Sequence, residues 1–172
     1  YAELRVGPAI ADLDVGPLIS ARQKEIVEGF LAQGTDLTEA ARGVIVEDAP
    51  SGGHYVAPRL LAGVKPYHAL AQQEIFGPVQ VCIPFDDEEE AVAIANGTDY
   101  GLVASVWTES GARQMRMAKR LRSGQVFINN YGAGGGLELP FGGTGLSGHG
   151  REKGFEALYG FSALKTVAAR HG

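Results

Sequence analysis

Residues 79–129 alternate short apolar runs with amphipathic stretches, and this rhythm constrains the fold more than any other feature of the sequence. VQVCI (79–83), LVASVW (102–107) and QVFIN (125–129) are continuous apolar runs of strand length. Between the first two, Asp87 and Glu90 fit a capping box, and the acids of residues 86–90 suit the positive end of a helix dipole. Asn96-Gly97 then supplies a helix stop. Between the second and third, Ser110 caps a predicted helix whose inner stripe is Ala112, Met115, Ala118 and Leu121. Strand, helix, strand, helix, strand, with apolar strands, predicts an α/β fold layered around a parallel sheet.

On the N-terminal side, the sequence predicts a helix over residues 17–33. Pro17 lies in its first turn, Ile19, Ile26, Val27, Phe30 and Leu31 share one face, and Gly34 closes it. GVIVE (43–47) and HYVAPRLLAG (54–63) are short strand candidates around a DAPSGG turn, with Pro58 marking an edge position. After Asn130 the regularity stops. A long glycine-rich loop leads to a short helix through FEALYGF (155–161), and SALKTVAARHG (162–172) alternates like a terminal strand with a free edge.

Several functional classes lose support at once. The formal charge of −5 argues against nucleic acid as the main partner, and the cations Arg113, Arg116, Lys119, Arg120 and Arg122 read as the solvent face of a helix. No apolar run reaches the roughly 20 residues that span a bilayer, so no membrane association is expected. The four histidines show no paired spacing, which leaves no expected metal site. Cys82, the single cysteine, lies in an apolar run, where little access and a raised pKa make a poor nucleophile. Asn96-Gly97-Thr98 fits a glycosylation acceptor, but the helix stop explains the same letters. The chain opens at Tyr1 with neither methionine nor a signal-like segment, and reads as a piece of something longer, expected in the cytoplasm.

Gly143, Gly145 and Gly148 match the G-x-G-x-x-G spacing of a phosphate-binding loop. That motif requires a strand before it and a helix opening at its end. Here Pro140 precedes it and His149-Gly150-Arg151 follows, so the glycines read instead as sites of close backbone approach. A different signal remains in QQEIFGPVQV (72–81). Glu74 is a lone acid before a Phe-Gly-Pro turn that feeds an apolar strand. A carboxylate so placed can accept hydrogen bonds from two neighbouring sugar hydroxyls, and an aromatic two residues later can lie against a flat ring.

EIFGPV (74–79), ANGTDYGLVASVWT (95–108), GQVFINNY (124–131), PFGG (140–143), SGHGREKG (147–154) and ALKTV (163–167), in this order and spacing, resemble the C-terminal part of the NAD(P)-dependent aldehyde dehydrogenases. DVGPLIS (14–20) fits the stretch that follows the family's catalytic cysteine. The resemblance implies a mechanism in which a cysteine thiolate attacks an aldehyde and hydride passes to NAD or NADP. A glutamate-activated water then releases the carboxylic acid from a thioester. It also implies roles. Glu74 matches the acid that binds the nicotinamide-ribose hydroxyls, and Phe76 the aromatic beside the nicotinamide. Phe141 matches an aromatic of the substrate tunnel, whose mouth is shaped by the variable loop holding Gly134, Gly135 and Gly136. ALKTV resembles the strand that joins a neighbouring subunit, so residues 163–169 imply a homo-oligomer.

The departures from the family pattern are equally informative. Neither the Gly-Gln-x-Cys context of the nucleophile nor the Glu-Leu-Gly-Gly context of the base occurs here, and Cys82 does not align with the nucleophile. Gln73 stands where an acid often precedes the ribose-binding one. The expectation is therefore residues 1–160 of catalytic domain without its cysteine-bearing segment, residues 161–172 as an oligomerisation strand, and a dinucleotide-binding domain outside this chain. No catalytic residue is expected within it, and the chain alone is expected to be inactive. The rival reading is a shortened homologue that serves as an assembly module.

Overall fold

The computed structural model describes residues 1–131 and 136–172, which form two compact units, Tyr1–Asp86 and Asp87–Gly172. The first unit contains β1 (Arg5–Val6), α1 (Ala21–Ala32), β2 (Thr38–Arg42), β3 (Val44–Ile45), β4 (Arg59–Ala62), α2 (Ala69–Gln72) and β5 (Val79–Cys82). β4 is the centre of a three-stranded sheet, parallel to β5 and antiparallel to β2, with a register shift between Glu39 and Ala41. β1 and β3 form a separate parallel pair. The core of this unit is Val27, Val56, Leu61, Val64, Leu70 and Ile75, with Phe30, Leu31, Val79 and Val81 packed against it.

Helix α1 starts one turn later than its sequence predicts. Ser20 is the cap, its Oγ accepting from the Gln23 amide at 3.2 Å. Pro17 stays outside the helix, because the Leu18 amide donates instead to the His54 carbonyl. Ile19 is consequently off the helix and almost fully exposed, and Ile26 is also exposed, so only Val27 of the expected face is fully buried. Pro58 is not at an edge either. It is fully buried immediately before the central strand β4, and its carbonyl accepts from Gly43. Cys82 is exposed rather than enclosed, because β5 alternates: Val79 and Val81 turn to the core while Gln80 and Cys82 turn away.

The second unit contains α3 (Glu88–Ala95), β6 (Tyr100–Gly101), β7 (Val103–Val106), α4 (Gly111–Arg120), β8 (Gln125–Ile128), β9 (Thr144–Gly145) and α5 (Ala157–Gly160). α4 is the crossover between the parallel strands β7 and β8, as the sequence rhythm requires. The two parallel pairs, β4 with β5 and β7 with β8, belong to separate open sheets. Asp87 caps α3 by accepting from the Glu90 amide at 2.8 Å. Within α4 the half-buried positions are Gln114, Met117, Ala118 and Arg120, and Ala112 and Met115 of the expected stripe are exposed. The Gln114 side chain donates to the Thr108 carbonyl at 2.8 Å.

The charged runs of α3 and α4 neutralise each other. Glu88 takes hydrogen bonds from Arg116 and Arg113, and Glu89 from both terminal nitrogens of Arg120. The Arg116 hydrogen bond leads in holding the Glu88 carboxyl down at about 2. Asn96 ties the helices together, donating to the Arg120 carbonyl at 2.9 Å and accepting from the Arg122 amide at 2.7 Å. Its side chain is thus already used as a structural clamp. The strand expected over 163–169 has no partner among the described residues: residues 162–172 form no regular element and are exposed along their whole length.

Candidate functional site

The candidate residues Glu74 and Phe76 lie on a turn between α2 and β5 that is held from several directions. Ile75, between them, is buried in the core of the first unit. Gly77 packs flat on α1: a Cβ there would stand 2.4 Å from Val27 Cγ2, closer than any methyl group tolerates. The Val79 amide closes the turn on the Gly77 carbonyl at 2.8 Å, and the Arg59 amide donates to Pro78 at 2.9 Å. Gln23 of α1 donates from one side-chain nitrogen to the carbonyls of Ile75, at 2.9 Å, and Phe76, at 3.1 Å.

With Ile75 drawn inward, its neighbours face outward. Phe76 is 76% exposed and adopts φ of +53°. The Glu74 carboxylate is exposed and makes no ion pair or hydrogen bond among the described residues. An exposed carboxylate and an exposed aromatic on one anchored turn can take a ligand carrying paired hydroxyls and a flat ring.

Phe141 lies in the second unit, where its amide and carbonyl exchange 2.6 Å hydrogen bonds with Glu152. It is half-buried, with the Lys153 ammonium 5.4 Å from the centre of its ring. It borders a cleft of about 390 Å³ that Leu102, His149, Arg151 and Phe161 also line. Arg151 fixes the loop by donating from Nη1 to the carbonyls of Gly143 and Gly150, both at 2.8 Å. Gly136 has a positive φ, and Gly134 and Gly135 lie outside the described residues.

The G-x-G-x-x-G stretch forms β9 and a tight turn paired with β6. The amides of Leu146, Ser147 and Gly148 are taken by the carbonyls of Asp99, Thr144 and Gly145, so they do not point at a phosphate. Gly145 is required twice over, by a φ of +60° and by the Asp99 carbonyl, which would lie 2.2 Å from a Cβ. Close backbone packing accounts for these glycines.

Two residues were not legible from sequence, Gln23 and Arg151. Ser20-Ala21-Arg22-Gln23 has capping-box spacing, which marks where α1 starts, but nothing local signals that Gln23 reaches 52 residues along the chain. Among the described residues, no group of three or more His, Cys, Asp or Glu could hold a metal ion, and no helix is long and apolar enough to cross a membrane.

Comparison with known proteins places this geometry. The model of the aldehyde dehydrogenase family matches residues 1–167. The NADP/NAD-dependent aldehyde dehydrogenase PuuC of Escherichia coli is 39% identical over 155 residues, which cover 89% of this chain and 30% of that protein. A crystal structure from Burkholderia cenocepacia superposes with a TM-score of 0.96 at 65% identity, covering all of this chain and 37% of that one. An aldehyde dehydrogenase of Mycobacterium tuberculosis, solved with NAD+, gives 0.81 at 38% identity, covering 92% of this chain and 33% of that one. The chain thus spans about a third of the length of the relatives it matches. By sequence match and by shape, this chain belongs to the aldehyde dehydrogenase family.

Proposed function

We propose that these residues are the C-terminal part of an enzyme that oxidises an aldehyde to a carboxylic acid with NAD or NADP. The reacting cysteine and the dinucleotide-binding domain are supplied by polypeptide outside this chain, so the chain alone is inactive. The observation that carries the reading is the anchored 74–78 turn, which leaves both Glu74 and Phe76 exposed. The bound dinucleotide supplies the hydride acceptor. Glu74 would accept from the two hydroxyls of the nicotinamide ribose and hold that half of the cofactor. Phe76 would supply an aromatic face for the nicotinamide. Phe141 and the loop with Gly134, Gly135 and Gly136 line the aldehyde channel, and the cleft beside Phe141 supports this.

Residues 1–160 then act as catalytic domain and residues 161–172 as the segment that pairs with a neighbouring subunit of a homo-oligomer in the cytoplasm. The exposed Leu164 and Val167 support the pairing role, since apolar side chains on an unpaired segment favour burial against a partner. They also favour the rival reading, an assembly module without activity. Activity of the intact enzyme separates the two.

The test is Glu74→Gln in the intact enzyme, titrated with NADH by fluorescence. Replacing charged hydrogen bonds by neutral ones should weaken binding about tenfold. Unchanged cofactor affinity together with an unchanged turnover rate removes Glu74 from the role.

A further inference from the structure

We propose that Gln23 is a positioning residue for the cofactor turn, whose carboxamide holds the backbone at Ile75 and Phe76 in the shape that aims Glu74 and Phe76 outward. The proposal rests on the cofactor reading of Glu74 given above. Its own basis is geometric.

Phe76 has φ of +53°, a left-handed conformation that costs a residue with a Cβ free energy unless the surroundings impose it. The imposing group is visible. The two hydrogens of one carboxamide nitrogen match two consecutive carbonyls, Ile75 at 2.9 Å and Phe76 at 3.1 Å. One nitrogen thus reaches the carbonyls just before and just after the φ torsion of the left-handed Phe76. The clamp is itself fixed, since the Gln23 backbone amide donates to Ser20 Oγ and so holds this residue in the capped first turn of α1. Gln23 is half-buried, and neither hydrogen bond is to Glu74 or to the Phe76 ring. It acts on the ligand-facing groups only through the backbone between them.

Alternative supports for the turn do not explain the φ. Ile75 anchors one side chain in the core, and Gly77 permits close approach to Val27, but neither dictates the backbone angle at the residue between them. Without the clamp, Phe76 relaxes toward negative φ, which redirects its ring and swings the flanking carboxylate.

The experiment uses the intact enzyme and two readouts, hydrogen–deuterium exchange of the peptide spanning 74–79 and NADH affinity by fluorescence titration. Gln23→Ala removes both hydrogen bonds. Gln23→Glu keeps the size but, ionised at neutral pH, offers no donor, and serves if the alanine variant folds poorly. Either should speed exchange of 74–79 and weaken NADH binding about tenfold each, with the aldehyde KM changed less than about twofold. Introducing Gln23→Ala into Phe76→Gly should speed exchange far less, because glycine occupies positive φ without a clamp. The proposal is overturned if exchange is unchanged in both Gln23 variants. It is also overturned if exchange rises while NADH affinity holds and Glu74→Gln still weakens binding, since the clamp then aims nothing. If neither Gln23→Ala nor Glu74→Gln alters NADH affinity, the cofactor reading fails and takes this proposal with it.

Discussion

The 74–78 turn and the 139–154 loop each present candidate ligand-facing residues, and they are held by different mixtures of side-chain and backbone contacts. In the turn, beside the backbone bonds at Gly77 and Pro78, two side chains do much of the holding: Gln23 of α1 grips two carbonyls and the turn's own Ile75 fills the core. In the loop, backbone pairing and close glycine packing join the Arg151 side chain, which donates to the Gly143 and Gly150 carbonyls. Phe141 pairs with Glu152, β9 pairs with β6, and glycines at 124, 142, 143 and 145 sit where a Cβ would collide with neighbouring atoms. The turn offers single side chains at which it can be loosened, whereas the loop's glycines have no side chain to trim and little space to add one. Substitution can break or sharpen this difference.

The largest effect is expected at Gly124. An added Cβ would lie 1.5 Å from the Gly142 carbonyl oxygen, against backbone that cannot swing aside as a flexible side chain would. Gly124→Ala should cost about 3 kcal/mol or more, read as a large fall in denaturation midpoint. Ile75→Ala comes next. It deletes a buried anchor, should cost about 2–3 kcal/mol, and should speed exchange across 74–79 while leaving 139–154 protected. If Ile75→Ala loosened both regions equally, the contrast between them would not stand.

The smallest effect concerns the surface pairs of α3 and α4. Glu88 is held at about 2, chiefly by its hydrogen bond from Arg116, against an ordinary value of 4.5. A carboxyl depressed by folding stabilises above its ordinary value, and this contribution fades as the pH falls from 4.5 toward 2. The melting-temperature gap between the wild type and Glu88→Gln should therefore be open near neutral pH and closed by about pH 2. Because the pairs are exposed, added salt should narrow the gap at every pH.

Much of this architecture was legible in the sequence because it is local. The rhythm of residues 79–129 located α3, α4, β5, β7 and β8, and Asp87 and Ser110 proved to be caps. The Phe-Gly-Pro letters of 76–78 marked a turn before a strand, and a turn closed by the Val79 amide on Gly77 feeds β5 there. The errors arose where distant groups decide. Pro17 lies outside α1 because His54, 36 residues on from Leu18, takes the Leu18 amide. Cys82 was misjudged from an apolar run that in fact alternates. Gln23 was invisible because its meaning depends on a turn 52 residues away, which no periodicity encodes.

The most direct test of the central claim is a crystal structure of the intact enzyme with NAD+ bound. The account predicts the Glu74 carboxylate oxygens within about 3 Å of both hydroxyls of the nicotinamide ribose, with the Phe76 ring against the nicotinamide. A cofactor whose ribose hydroxyls are held by other residues, with Glu74 still facing solvent, would contradict it.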